Sequence, residues 1–272
     1  MNLGGVDMTD WMKIHEQTKK WLLEASERIL ASFDMDIDIS TKANANDLVT
    51  NLDKETEIFF NDKIKQSYPT HRVLGEEGYG DQITDTSGII WIIDPIDGTM
   101  NFVHQQRNFF ISIGIYEDGI GKLGYIYDVV QKELYYAISG IGAYWDGKKL
   151  PKLTEGKIEE SIIGLSSMWL VNNKHLDVTK TLMPLIKDIR STRAYGSAAL
   201  EFSYVATGRL DGYINMRLAP WDFAGGKVII EELGGVVTNL KGEPLQILES
   251  GPVVVARPGV HKKIIHEYLL KN

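Results

Sequence analysis

An uninterrupted apolar run, Ile89-Ile90-Trp91-Ile92-Ile93, leads straight into Asp94-Pro95-Ile96-Asp97-Gly98-Thr99. This junction constrains the fold more than any other feature. Apolar residues without polar alternation read as a strand buried on both faces, so other layers must cover it. Pro95 fixes its φ and forces a turn, which brings Asp97 back beside Asp94. Gly98 and Thr99 then open a short helix, whose free N–H groups and positive dipole end suit an anion. Two carboxylates held this close repel each other unless a cation neutralises them, and a shared divalent metal resolves the conflict. Metal ligands and an anion hole within six residues are what phosphoryl transfer requires.

The rest of the chain supplies material for those layers. Trp11, Ile14, Thr18, Trp21, Leu22, Ala25 and Ile29 recur at helical spacing and predict a helix over 9–33. A polar stretch runs through Asp47, and a second helix is predicted over 51–67, ended by Tyr68-Pro69. A short strand spans 71–74, and residues 78–88 read as an exposed loop. Residues 109–150 alternate in β fashion between turn signals, which predicts an antiparallel meander. After Pro151 strands and helices alternate: strand 161–166, helices 176–190 and 197–207, strand 210–216, helix 220–233, strands 235–239 and 252–256, and helix 259–270. Two packed sub-domains are expected, 1–150 with the antiparallel sheet and most of the acidic motifs, and 151–272 with Asp222 and the substrate-side residues.

Composition removes several classes of chemistry. The formal charge of −8 leaves no global basic field for nucleic acid, which would need a local basic patch. Cysteine is absent, so disulfides, zinc–thiolate sites and cysteine nucleophiles are excluded. The histidines are scattered, with no pair at metal-ligand spacing. No signal-peptide pattern is present, and charges break every apolar run before the ~20 residues of a membrane span. A cytoplasmic protein without a membrane partner is expected.

The string 91–102 resembles the signature of the inositol monophosphatase family, part of a larger group that includes fructose-1,6-bisphosphatases and 3′-phosphoadenosine phosphatases. Asp47-Leu48-Val49-Thr50-Asn51-Leu52-Asp53, Gly75-Glu76-Glu77 and Pro220-Trp221-Asp222-Phe223-Ala224-Gly225-Gly226 resemble three further family motifs, in family order. The resemblance implies an α+β or α/β fold layered as an αβαβα sandwich, a homodimer, and Mg²⁺-dependent hydrolysis of a phosphate monoester of a small metabolite. It also implies inhibition by Li⁺. Glu76, Asp94, the carbonyl of Ile96, Asp97 and Asp222 would hold two or three Mg²⁺ ions. Asp53 and Thr99 would orient and deprotonate the attacking water, and the Gly98 and Thr99 N–H groups would bind phosphate. Taken alone, Glu76 reads as a solvated loop residue, and Asp53 and Asp222 as helix N-terminal residues.

The substrate side is less constrained. Tyr195-Gly196-Ser197-Ala198-Ala199 resembles the family's substrate-contacting segment, with Arg193 beside it, which makes Arg193, Gly196 and Ser197 candidates. Without the resemblance, Ser197 reads as a helix cap. Asn215 stands where inositol-selective members commonly carry glutamate, and Arg217 follows two residues on. Inositol phosphate, NADP(H), 3′-phosphoadenosine phosphate and fructose-1,6-bisphosphate all remain open as substrates, and a non-catalytic phosphometabolite-binding protein is the alternative class. Gly119 to Gly124 fits G-x-G-x-x-G, but the strand-like Tyr125-Ile126-Tyr127 follows where a dinucleotide fold needs a helix. Gly142 to Lys148 matches most of a phosphate-binding loop, but Lys149 stands where Ser or Thr is required.

Overall fold

A computed structural model describes residues 8–34, 39–41, 48–171 and 173–270; Asp47 lies outside them. The first half opens with helix α1 (Met8–Ala31), whose apolar stripe from Trp11 to Ile29 is buried. Strands β1 (Ile39–Thr41) and β2 (Leu48–Thr50) then pair antiparallel, between the two predicted helices where no strand is predicted. Helix α2 (Asn51–Ser67) has the bounds predicted for it. Its start is fixed by Thr50, which accepts from the N–H groups of Leu52 and Asp53, while Asp53 accepts from the Thr50 N–H.

Strands β3 (Arg72–Gly75), β4 (Ile89–Asp97), β5 (Phe110–Glu117), β6 (Ile120–Asp128), β7 (Glu133–Ile138), β8 (Gly142–Trp145) and β9 (Lys148–Lys149) form a seven-stranded sheet in sequence order. Helix α3 (Thr99–Gln105) follows β4. β4 is buried along its whole length. It does not stop at Asp94-Pro95 as expected, but continues to Asp97 through a break in register. Asp94 faces Ser112 and Asp97 faces Phe110, so the two β4 residues between them oppose only Ile111. A proline without an N–H is tolerated in a strand at such a break. The G-x-G-x-x-G string lies in the β5–β6 hairpin and the partial phosphate-loop match in β8–β9, which excludes both nucleotide readings.

The second half contributes β10 (Ile162–Gly164), helices α4 (Met168–Val171) and α5 (Leu182–Asp188), β11 (Ser191–Arg193), α6 (Ala198–Ala206), β12 (Gly212–Leu218), α7 (Pro220–Glu232), β13 (Val236–Thr238), β14 (Gly251–Ala256) and α8 (Pro258–Lys263). Its strands form a five-stranded mixed sheet in the order β11-β10-β12-β14-β13. α5 is shorter than the helix expected over 176–190. Pro184 in its first turn has no N–H to donate to Lys180, so the helix cannot reach back further. The helix expected over 259–270 is α8 followed by a π-helical turn, Ile264–Leu269.

Three buried clusters show the layering. One joins α1 and α2 to one face of the large sheet, a second fills the space between the sheets around α6 and α7, and a third joins α5 and α8 to the outer face of the small sheet. The stack is therefore αβαβα. α7 lies directly on β5 and β6. A Cβ at Gly114 would stand 2.7 Å from Ala224, and one at Gly124 would stand 2.4 Å from the carbonyl oxygen of Gly225. Among the described residues, no helix is long and apolar enough to cross a membrane.

Candidate active site

The end of β4 and the start of α7 meet at a buried acidic centre. Asp94, Asp97 and Asp222 each place a carboxylate oxygen within 4.8 Å of the other two. Burial drives Asp94 well above the ordinary aspartate range, and the charges of Glu76, Asp97 and Asp222 push it the same way. Asp97 rises to about 6 through burial, restrained by the Ser197 hydroxyl and the N–H groups of Ala199 and Ala198, all of which donate to it. Asp222 is also raised well above its usual value by burial and by Asp97, with Arg217 opposing. Its Oδ2 accepts from the Ala219 N–H at 2.7 Å, which fixes the carboxylate at the first turn of α7.

Glu76, half-buried in the loop after β3, lies near enough for its charge to raise the Asp94 carboxyl, although it is outside the close trio. The Ile96 N–H donates to Asp94 Oδ1 at 3.1 Å, and the Ile96 carbonyl accepts from Thr99 Oγ1 at 3.1 Å. The centre thus offers only oxygen donors, and deprotonating all of them without a cation is strongly opposed. That is the chemistry of a site for hard divalent cations such as Mg²⁺.

Asp53 reaches this centre from α2. Thr99 Oγ1 lies 3.2 Å from Asp53 Oδ1 and can donate to it, while Oδ2 accepts from the Thr50 N–H at 2.8 Å and the Thr50 hydroxyl at 2.5 Å. Burial raises the Asp53 carboxyl, the Thr50 bonds draw it back, and the charge of Glu76 lifts it again. Gly98 caps α3 with φ 92°, a left-handed conformation that favours glycine. A Cβ there would come within 3.1 Å of the Asn108 carbonyl oxygen.

Beside the centre opens a cavity of about 500 Å³, lined by Asp97 and Asp222 and by Trp169, Tyr195, Gly196, Glu201, Tyr213 and Asn215, among others. Gly196 is on its wall, and Ser197 stands behind, bonded to Asp97 and capping α6. Asn215 Nδ2 donates to the Tyr213 hydroxyl at 2.7 Å, and its Oδ1 accepts from the Arg217 N–H at 2.9 Å. Arg193 does not line the cavity; its side chain is exposed and donates to Ser191 and Thr192 of its own strand.

Three contributors escaped the sequence reading. Asn101 donates to the carbonyls of Asn108 (2.9 Å) and Tyr195 (2.8 Å), tying α3 to the cavity wall. Trp169 comes from α4, which sequence periodicity did not reveal. Glu201 is buried, accepts from the Tyr195 N–H at 3.1 Å, and leaves Oε2 without a partner. Burial lifts its carboxyl to about 7. As the sole charge within Ala198–Ala206 it could have been singled out from sequence.

The sequence pattern of the inositol monophosphatase family matches residues 10–271. The chain is 56% identical over 262 residues to an inositol-1-monophosphatase of Bacillus subtilis, covering 96% of this chain and 98% of that one. Its fold is similar to inositol monophosphatase-II from Staphylococcus aureus, with TM-score 0.87 and 45% identity, covering 95% of this chain and 96% of that one. It is also similar to an inositol monophosphate-bound SaIMPase-II, with TM-score 0.85, 44% identity and 95% of both chains covered.

Proposed function

The chain belongs to the inositol monophosphatase family, and on that premise we propose that it hydrolyses small phosphate monoesters, inositol monophosphate foremost, with Mg²⁺ as cofactor. The observation that carries this reading is the carboxylate trio, two members buried and Asp222 partly so, with the Thr99–Asp53 hydrogen bond beside it. Glu76, Asp94, the Ile96 carbonyl, Asp97 and Asp222 are the proposed ligands of two or three ions. When bound, the cations would supply charge neutralisation and electrophilic activation of the phosphate. The N–H groups of Gly98 and Thr99 would donate to the phosphate oxygens at the start of α3. The single Thr99 hydroxyl proton has two acceptors in reach, the Ile96 carbonyl at 3.1 Å and Asp53 Oδ1 at 3.2 Å; turned to Asp53, it would pass to Oδ1 as Thr99 Oγ1 takes a proton from the attacking water. The raised affinity of buried Asp53 for a proton favours that transfer.

Gly196, Ser197 and Asn215 are the proposed substrate-side residues, and Arg193 serves only a substrate long enough to leave the cavity. A second reading, a nucleotide monoester such as NADP, is favoured by the aromatic lining from Trp169, Tyr195 and Tyr213 and by Asn215 in place of an acidic residue. We also propose sub-domains at 1–150 and 151–272, consistent with two sheets whose strands fall within 72–149 and 162–256. A homodimer would give a partner to α4 and its surroundings, where Met168, Val171 and Met183 are exposed. Cytoplasmic location and millimolar-order Li⁺ inhibition complete the reading. Phosphate release from inositol phosphate, NADP, 3′-phosphoadenosine phosphate and fructose-1,6-bisphosphate, with Mg²⁺ titrated, tests it. Absence of Mg²⁺-dependent turnover on all of them would overturn the enzymatic reading, and Asp94→Asn is expected to abolish turnover without unfolding the protein.

A further inference from the structure

We propose that Glu57 is a positioning residue that holds Glu76 in place for the metal site. The inference rests on the reading of Glu76 as a ligand and adds a residue that no motif in the sequence singled out. Asp53 and Glu57 are four residues apart on α2 and therefore share one face of the helix. Asp53 points its carboxylate at Thr99, whereas Glu57 serves the loop that carries Glu76.

Glu57 is 0% exposed. One of its oxygens accepts from the Glu77 N–H at 2.5 Å and the other from the Tyr79 N–H at 2.7 Å. On the other side of Glu76, the Gly75 backbone lies so close that a Cβ would stand 2.2 Å from the Glu57 carboxyl carbon. The loop is thus wrapped around this carboxylate, with Glu76 between the residue packed on it and the residue bonded to it. Glu76's own N–H donates to the Ile93 carbonyl at 3.3 Å, next to Asp94. Backbone pinned at 75, 76, 77 and 79 delivers the Glu76 side chain to Asp94 from a segment without repeating structure. An acceptor on both oxygens is needed for two N–H donors. Glutamine in its place would turn an NH₂ group toward one of them.

The test measures binding of Mg²⁺ alone by isothermal titration calorimetry on the full chain, with circular dichroism to check the fold. Wild type, Glu57→Gln, Glu76→Gln and the double variant are compared. Glu57→Gln should raise the Mg²⁺ dissociation constant roughly tenfold, as loss of a residue orienting a metal ligand does. The Mg²⁺ requirement for turnover should rise in step, with kcat at saturating Mg²⁺ retained. If Glu57 acts through Glu76, the double variant binds no more weakly than Glu76→Gln alone. Wild-type Mg²⁺ affinity in folded Glu57→Gln, or losses that add in the double variant, would overturn the proposal while leaving the ligand reading intact. Unchanged affinity in Glu76→Gln would instead sink the ligand reading, and this inference with it. Should Glu57→Gln fail to fold, Glu57→Asp, which withdraws the carboxylate by one methylene, is expected to weaken Mg²⁺ binding in the same direction. Unweakened binding there would count equally against the proposal.

Discussion

Asp53 is 1% exposed and has hydrogen-bond partners on both oxygens, so its geometry is set before any substrate arrives. Replacing it with asparagine keeps the shape of the side chain and removes the proton acceptor. Asp53→Asn should lower kcat by about 10²- to 10⁴-fold, the usual worth of general-base catalysis, with little change in KM. Thr99→Ala should cost a similar factor, and the double variant little more, because both changes break one relay. Initial-rate kinetics check this, and a kcat close to wild type in Asp53→Asn would remove Asp53 from the mechanism. Asn215 offers the complementary test on the substrate side. Asn215→Glu adds a charged acceptor to the cavity wall. It should raise kcat/KM for inositol phosphate relative to NADP by roughly ten- to a hundredfold, the worth of a charged hydrogen bond. An unchanged ratio would show that specificity is set elsewhere in the cavity.

Elements matter here through how closely they approach. α7 carries Asp222 in its first turn and can bring it to Asp94 because glycines in β5 and β6 let the helix lie directly on the sheet. Gly114→Ala would force a methyl group to within 2.7 Å of the Ala224 backbone and Cβ, two residues beyond Asp222. Overpacking of this kind costs about 1–3 kcal/mol, to be read from urea denaturation. Mg²⁺ affinity should fall along with stability, because the strained contact adjoins a ligand. The start of α2 gives a second case. Thr50 caps the helix and also bonds Asp53, so Thr50→Ala should cost about 1 kcal/mol of stability. It should lower kcat as well, since a cap without catalytic influence would alter stability alone.

At the scale of the whole molecule, the charge state decides how pH acts. His15, His71 and His261 are buried, and burial lowers each to about 4. The unfolded chain binds protons at these residues near the ordinary value of about 6.5, so it takes up more protons than the folded chain at intermediate pH. Their contribution is therefore fully present above about pH 6.5 and is lost as pH falls toward 4, each at up to about 1.4 kcal/mol per pH unit. The acidic centre acts in the opposite sense when no cation is bound. Asp94, Asp97 and Asp222 are raised, so their protonated forms stabilise the fold at low pH and that contribution is lost as pH rises, for Asp97 through about 6. Mg²⁺ competes with those protons. Added Mg²⁺ should therefore raise Tm more at pH 8 than at pH 5. Thermal melts across that range check it, and an equal rise at both pH values would contradict a site built on these carboxylates.

Much of this protein is determined locally. The apolar run of β4, the heptad-like stripe of α1, the capped start of α2, the β5–β9 hairpins and Pro220 at the head of α7 each carry a periodicity or turn chemistry readable within ten to twenty residues. Asp53, Glu76, Asp94, Asp97, Thr99 and Asp222 were named from motifs, and the structure brings them to one centre. Other features depended on contacts distant in sequence. β4 runs through Pro95 because β5 pairs with it on both sides of the break, and the three-residue strands β1 and β2 are ordered by pairing with each other. Glu57, Asn101, Trp169 and Glu201 acquire their roles only where loops from 75–79, 166–171 and 193–197 pack against helices and strands. The alternation of helices and strands and the acidic turn at Asp94–Asp97 are legible in neighbouring residues, because strand burial, capping and turn chemistry are local, whereas the layer order and the metal roles of Glu76 and Asp222 came from the family resemblance. How Glu76 is held and which side chains wall the cavity follow from contacts across the fold, because they depend on which backbone N–H groups meet which carboxylates far along the chain.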